Sequence, residues 1–418
     1  MDNLSHSVVG LAAGELIHRR LPAETDSVRQ NLRRTLLLVS CWLASNFPDL
    51  DLVLTPLLPE PLGYLLHHRG HTHTLLYAIP QALLLWGLLW LLWPAARRLL
   101  KTSPTARTGL ALSLTAGFLL HMSMDYLNSY GIHPFHPFDS RWFYGDMVFI
   151  LEPLFWVAFG IPMAMMLRKA WMRAALVLGL LGIPLYFTTK GFLPWISMAA
   201  LGAIAVPLIL LQRKAGAQGI AALLLAAIIG AGFIGMQGVA SKRARQLVAD
   251  ALHTRDPASR LLDASMTSFP TNPACWSFVS VESNESAGTY RLRRGLVSAL
   301  PDIVPVTRCP EALSDRKSQK EMTASLALFS EQVGQLAVLR ELRRDNCHFE
   351  AWLRFARAPA INGTEAMDMR YSTSPQGNFT TMRFEDFKRS ACPSYVPQWS
   401  FPRSDLLSPI SPILPISP

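Results

Sequence analysis

Nine of the eleven histidines in this chain stand before residue 137 (His6, His18, His67, His68, His71, His73, His121, His133 and His136). Among them stand Asp49, Asp51, Asp125, Asp139, Asp146 and Glu152. Three groups have a spacing that suits chemistry. In Pro48-Asp49-Leu50-Asp51 two carboxylates sit one residue apart at the end of an apolar segment, where a turn can aim both at a cation; a plain turn or cap acid is the alternative. His68-Arg69-Gly70-His71-Thr72-His73-Thr74 packs three imidazoles, the commonest nitrogen ligands for zinc-type metals, into six residues. Thr74 is placed to cap a following helix. In His121-Met-Ser-Met-Asp125 the i,i+4 spacing puts imidazole and carboxylate on one helical face. That pair is either two ligands, an acid orienting an imidazole, or a buried hydrogen-bonded pair joining two helices. Carboxylates mixed with imidazoles and no thiolate favour zinc, manganese or iron-type centres, and here one to three ions, zinc first. No G-x-S-x-G, P-loop, G-x-G-x-x-G or H-E-x-x-H motif competes with that reading. Arg69, beside the histidine run, is expected to clamp a phosphate or carboxylate group.

The elements that must carry these residues are apolar. Half of the 418 residues (50%) are hydrophobic and 16% are charged, against about 25% charged in soluble domains. From residue 74 to about 240 the chain reads as apolar spans broken by basic or turn-forming pieces. Helices that cross a bilayer need ~20 apolar residues, and segments 74–96, 109–127, 147–167, 174–188, 192–211 and 219–240 qualify. Two shorter segments, 7–17 and 35–47, are expected to insert partway or be shielded by neighbours. Ionisable residues in or beside such spans are expensive and usually face a working cavity. The net charge of +10 comes from 39 Lys and Arg against 29 Asp and Glu. The cations lie in short clusters between spans, as positive-inside topology requires, so nucleic acid is not an expected partner. If the spans alternate, Arg97, Arg98, Lys101, Arg107, Arg168, Lys169, Arg173, Arg213 and Lys214 fall on the cytoplasmic side. Asp49, Asp51, His68, His73 and Asp125 then share the opposite face. His6 joins them if the first segment runs inward. The opening residues have no basic n-region before Leu4, so targeting is expected from an internal helix.

Past residue 240 the character changes: charges of both signs appear, with strand-like pieces at 277–282 and 289–293 and a helical stretch at 321–344. The expectation is a polytopic, mainly α membrane bundle with a C-terminal soluble α+β domain. Residues 1–155 would form the metal-site region, 156–240 further spans, 241–392 the soluble domain, and 393–418 a disordered Pro/Ser-rich tail. Four of the five cysteines (Cys275, Cys309, Cys347, Cys392) fall in the soluble domain, which allows two disulfides in three pairings or reduced buried thiols.

His6, the Pro-Asp-Leu-Asp of 48–51, the His-Arg-Gly-x-Thr-His-Thr of 68–74 and the Gly-Phe-Leu-Leu-His-x3-Asp of 117–125, in this order, resemble the YdjM-like membrane-bound metal-dependent hydrolases. The likeness covers about the first 155 residues. It implies His6, Asp49, Asp51, His68, His73, His121 and Asp125 as functional positions, and places His71 where the family varies. Through a distant likeness of that family to zinc-dependent phospholipase C it implies a multi-zinc helical site and phosphoester hydrolysis. His6, His68, His73, His121, Asp49 and Asp125 are then expected as ligands and Asp51 as ligand or general base. The expected setting is a bacterial inner membrane with the C-terminal domain on its outer face, and the expected substrate a lipid or other phosphoester. Rival readings are a metal transporter, a haem protein with paired histidines, and a non-catalytic regulator or scaffold.

Overall fold

In a computed structural model of the chain, described over residues 1–216, 219–310, 321–371 and 377–408, the membrane part begins with two 18-residue helices. They are α1 (Asn3–Arg20) and α2 (Ser27–Ala44), each started by an aspartate whose side chain accepts a backbone N–H three residues on, Asp2 from Ser5 and Asp26 from Arg29. The segments expected at 7–17 and 35–47 are therefore full helices. At 1.5 Å per residue each reaches about 27 Å. Two 3-10 turns (Phe47–Val53 and Thr55–Leu57), the short α3 (Leu62–His67) and a third 3-10 turn (His71–His73) follow. Thr74 caps α4 (Leu75–Leu92) by accepting the Tyr77 N–H at 3.1 Å. Then come α5 (Pro94–Thr102), α6 (Pro104–Tyr126), α7 (Pro153–Met165), α8 (Ala170–Thr189), α9 (Trp195–Ala215) and the 35-residue α10 (Ala221–Arg255).

Among the described residues four helices are long and apolar enough to cross a membrane: α4, α8, α9 and α10. Their outer faces are apolar and exposed, as at Leu83, Leu91, Leu178, Ile196, Ile228 and Val239, which suits acyl chains. The expected span at 147–167 is a different object. Met147 and Val148 donate backbone hydrogen bonds to Leu127 O at 2.8 and 2.9 Å, tying this stretch to the end of α6 in an extended path. Helix begins only at Pro153, and the 13-residue α7 is too short to span and lies buried among its neighbours.

Helix α10 runs unbroken through residue 240. Its last turns lay Ala244, Val248 and Leu252 on the sheet residues Ala264, Met266, Trp276 and Phe278. That sheet is antiparallel, in the order β1 (Arg260–Phe269), β2 (Asn272–Asn284), β3 (Thr289–Ser298), β5 (Leu326–Gln335), β4 (Glu321–Met322). The stretch read as a helix over 321–344 is thus mostly strand, with helix α11 only at Leu336–Asp345. Leu326 to Phe329 are four consecutive buried apolar residues, a run whose periodicity fits helix and doubly covered strand alike. Pairing decides it: Ala327 lies opposite Leu296 and Leu326 opposite Val297. The chain then forms α12 (Cys347–Leu353), a small sheet of β6 (Pro359–Asn362), β7 (Glu365–Asp368) and β8 (Met382–Arg383), and α13 (Ser404–Leu407). The cysteines pair as Cys275–Cys309 and Cys347–Cys392.

One core joins the two parts. Leu62, Leu65 and Leu66 of α3, with Tyr130 and Trp142, pack with Leu292, Phe349, Trp352 and Phe355 of the C-terminal region. The expected disorder after residue 393 does not hold up to Ser408. Trp399 is fully buried, stacks on His133 at 3.9 Å and donates its indole N–H to Leu66 O at 2.9 Å. The last ten residues of the expected tail, 409–418, lie outside the described residues.

Candidate metal centre

Close helix packing brings the distant residues together. On α6, a Cβ at Gly117 would fall 2.5 Å from Ala44 Cβ and 2.8 Å from Cys41 O. Only glycine lets α6 press this tightly on α2, in the way small residues set helix crossings in membranes. One turn later His121 Nδ1 lies 2.8 Å from Ser45 O, so it is the donor there and Nε2 faces inward as acceptor. One turn further stands Asp125. Gly10 does the same for α1, lying against Ser45 and Cys41. A turn before it, His6 stacks on His121 at 4.2 Å and sets its Nε2 3.3 Å from Asp125 Oδ1.

Four donors meet at the centre. His73 Nε2 is 2.9 Å from His121 Nε2, 3.3 Å from Asp49 Oδ1 and 3.2 Å from Asp125 Oδ2. His121 Nε2 is 3.7 Å from Asp49 Oδ1 and 3.4 Å from Asp125 Oδ2. Ligands held about 2.0–2.1 Å from a tetrahedral ion lie about 3.3–3.4 Å from one another, the middle of this range. A second group, Asp49, Asp51 and His68, shares Asp49 with the first.

The surrounding residues orient these donors. Asp51 Oδ1 accepts from His68 Nδ1 at 2.9 Å, and Oδ2 accepts from the Thr72 hydroxyl at 2.7 Å and the Arg69 backbone N–H at 3.2 Å. Arg69, expected to face an incoming anion, is instead turned inward. Its guanidinium lies 2.9 Å from Asp125 Oδ1, donates to Asn128 Oδ1 at 3.0 Å and rests over the Tyr130 ring. The seven positions expected to act, with Arg69, are therefore one buried cluster. His71 is not in it: its ring lies among Tyr77, His136 and Trp399. Sequence reading missed Thr72 and Asn128, neutral residues whose only signal was their place beside the histidine run and one turn after Asp125. It also missed the carbonyl of Ser45, which no side-chain pattern reports.

The donors fit a cation. Asp125 Oδ2 and His6 Nδ1 are buried with no hydrogen-bond partner among the described residues. The α-amino nitrogen of Met1 and the Arg69 guanidinium both lie against Asp125 Oδ1. Burial opposes a charge on His73, but Asp125, Asp49 and Asp51 outweigh it and push this imidazole up to about 10. Three buried carboxylates thus draw positive charge into the cluster, and its grouped N and O atoms are placed to hold a metal ion.

A polytopic membrane protein with a buried histidine–aspartate cluster able to hold a metal ion is the class so defined. The sequence model of the family described as "YdjM inner membrane protein" matches residues 1–196, so this part of the chain is similar to that family. The matched stretch includes every residue of the cluster and ends at the start of α9. The chain is also similar to the "Uncharacterized protein YfhP" of Bacillus subtilis strain 168. They are 24% identical over 158 residues, 38% of this chain and 44% of that protein, so the match spans under half of either. No solved structure matches.

Proposed function

We propose that this protein is a membrane-bound metal-dependent hydrolase of phosphoesters. The observation that carries the reading is the set of four buried N and O donors that all lie within 4.8 Å of one another, with the two imidazoles 2.9–3.7 Å from each other and from both carboxylates. Two imidazoles and two carboxylates without a thiolate suit zinc. His73, His121, Asp49 and Asp125 would hold one ion, and Asp49, Asp51 and His68 the approach of a second. Bound there, such ions supply a water whose pKa falls toward ~7 and a Lewis acid for the phosphoryl oxygen. The chain's own part is orientation. Asp51 fixes the proton of His68 on Nδ1, leaving Nε2 open at the edge of the cluster. The Ser45 carbonyl does the same for His121, and Arg69 holds Asp125 against rotation. His6 closes the cluster on the α1 side and helps exclude water.

Metal analysis of the purified full-length protein tests this. One to two equivalents of zinc are expected in the wild type and a loss of at least one in His73→Ala and His121→Ala, together with loss of p-nitrophenyl phosphate turnover. A wild type that binds no metal overturns the reading. Passage of the metal across the membrane is the weaker alternative, because the chain has no His, Asp or Glu between residues 153 and 249.

The proposed setting is a bacterial inner membrane with the C-terminal domain outside. Arg19 and Arg20 end α1, Arg107 lies at the start of α6 and Arg213 near the end of α9, all at helix ends away from the cluster. Such basic ends stay cytoplasmic, and two disulfides suit an oxidising exterior. With the outer membrane opened, a membrane-impermeant maleimide applied to intact inner membranes should label Ser390→Cys and not Lys101→Cys; the reverse pattern would invert the topology.

A further inference from the structure

The cluster is not sealed evenly. His6, His73, His121 and Asp125 are fully buried, whereas Asp49 (8%), His68 (7%) and Asp51 (6%) keep some exposure. Access is therefore from the side of the 3-10 turn Phe47–Val53 and helix α3. That side is apolar where it meets the surroundings. The turn that points Asp49 and Asp51 inward presents Leu50, Leu52, Val53 and Leu54 outward, and Leu57 follows in the next turn. Val53 is 72% exposed and Leu57 78%. Five exposed apolar side chains beside a polar opening call for an apolar counterpart.

The level of this segment is set by its neighbours. The turn packs on the His71–His73 turn, which runs directly into α4. Exposed Leu75, Leu76 and Ile79 start the lipid-facing side of that span. The apolar segment continues this surface. Helix α2 and the two 3-10 turns also meet as one bent apolar pair, the shape of a re-entrant piece. On the other side of the opening a groove of ≈ 770 Å³ runs between α3 and the C-terminal domain, lined by Thr55, Pro61, Tyr64, Phe379, Met382 and Arg383. Tyr64 stacks on His68 at 5.1 Å and meets Phe379 at 5.6 Å, so a single ring separates the groove from His68 of the cluster.

We infer that the substrate is a membrane lipid whose phosphate enters between Asp49 and His68 while its hydrocarbon chain lies along Leu50–Leu57. This rests on the hydrolase reading and adds the substrate class to it. A soluble phosphoester would gain nothing from an apolar wall beside the opening, and a polar group that stays at the bilayer surface is at the right height for the cluster.

The test uses the full chain in lipid nanodiscs with cobalt(II) in place of zinc, so that binding at the site is read from the cobalt absorption bands. The probes are methylphosphonate and dodecylphosphonate, which cannot be hydrolysed. The wild type should half-saturate with dodecylphosphonate at a concentration lower by about tenfold or more, an effect that burying two methylene groups already provides. In a Val53→Asp/Leu57→Asp variant that preference should collapse toward unity, while cobalt stoichiometry shows that the fold is kept. Equal half-saturation by both probes in the wild type, or an unchanged preference in the variant, makes the segment a bilayer-embedded surface only and overturns the inference. In that case cobalt binding and p-nitrophenyl phosphate turnover still leave the hydrolase reading standing. A chain that binds no cobalt removes both.

Discussion

Asp51 and Asp125 are both buried carboxylates, yet they stand in different relations to the centre. Both Asp51 oxygens are already engaged, by His68, Thr72 and the Arg69 backbone, whereas Asp125 keeps an oxygen without a hydrogen-bond partner among the described residues. Asp51→Asn should therefore keep the central ion at His73, His121, Asp49 and Asp125 and weaken its affinity about 10–100-fold, the usual loss when an orienting acid is removed. Asp125→Asn should abolish binding at the central position. Titration against a competing chelator separates the two, and equal losses would mean Asp51 contacts the ion directly. At this scale the sequence carried much of the site, because histidine and aspartate in an apolar setting are too costly to be decoration. Arg69 was harder. A guanidinium beside a histidine run looks alike whether it awaits an anion or holds a ligand's carboxylate, and only the fold brings Asp125 to it from 56 residues away.

Helix packing turns these residues into a cluster, and two glycines on α4 and α6 show how position decides their worth. At Gly117 a side chain would collide with Ala44 and Cys41 O, while at Gly87 there is nothing within 4 Å. Gly117→Leu should push α6 off α2, at a cost of about 1–3 kcal/mol for overpacking, and carry His121 and Asp125 away from His73. Metal binding should fall with it. Gly87→Leu, facing lipid, should leave both thermal stability and metal content unchanged. Thermal unfolding of the purified protein with and without zinc measures both effects. Helices were legible where length and apolarity agreed, as in α4, α9 and α10. Reading failed where long-range partners decided the outcome: β5, whose apolar run is fixed by β3, and residues 147–152, held straight by Leu127 O. Neither partner is visible within a local window.

The membrane region and the C-terminal domain meet through a buried charge network, which makes their union depend on pH. Arg357 donates to both oxygens of Asp146 at 2.8 Å and to Asp263 at 2.6 and 3.0 Å. Arg245 adds a bond to Asp146 at 2.8 Å, and Arg403 lies 3.2 Å from Asp263. Asp146 belongs to the loop after α6 that also carries Asn128 and Tyr130, the residues on which Arg69 rests, so the network reaches the centre by packing. Burial disfavours the Asp263 carboxylate, but Arg357, Arg403 and Arg245 overcome that and hold its pKa well below the usual range. A carboxyl whose folded pKa is depressed stabilises the folded form above its unfolded pKa of about 3.9, and that stability is lost as pH falls through the folded value. The share of the union's stability that Asp263 contributes should thus be flat from neutral pH to about 5 and decline below about 4. Asp263→Asn should lose part of the stability at neutral pH and show a shallower acid decline. Removing one partner of a buried pair typically costs about 3–5 kcal/mol, here reduced because Asp146 still faces Arg357. Hydrogen exchange of the strands β1 and β2, followed against pH in both proteins, measures the difference. Identical acid profiles would show that the docking is held by the shared apolar core around Trp352 and Trp399 and owes nothing to the charges.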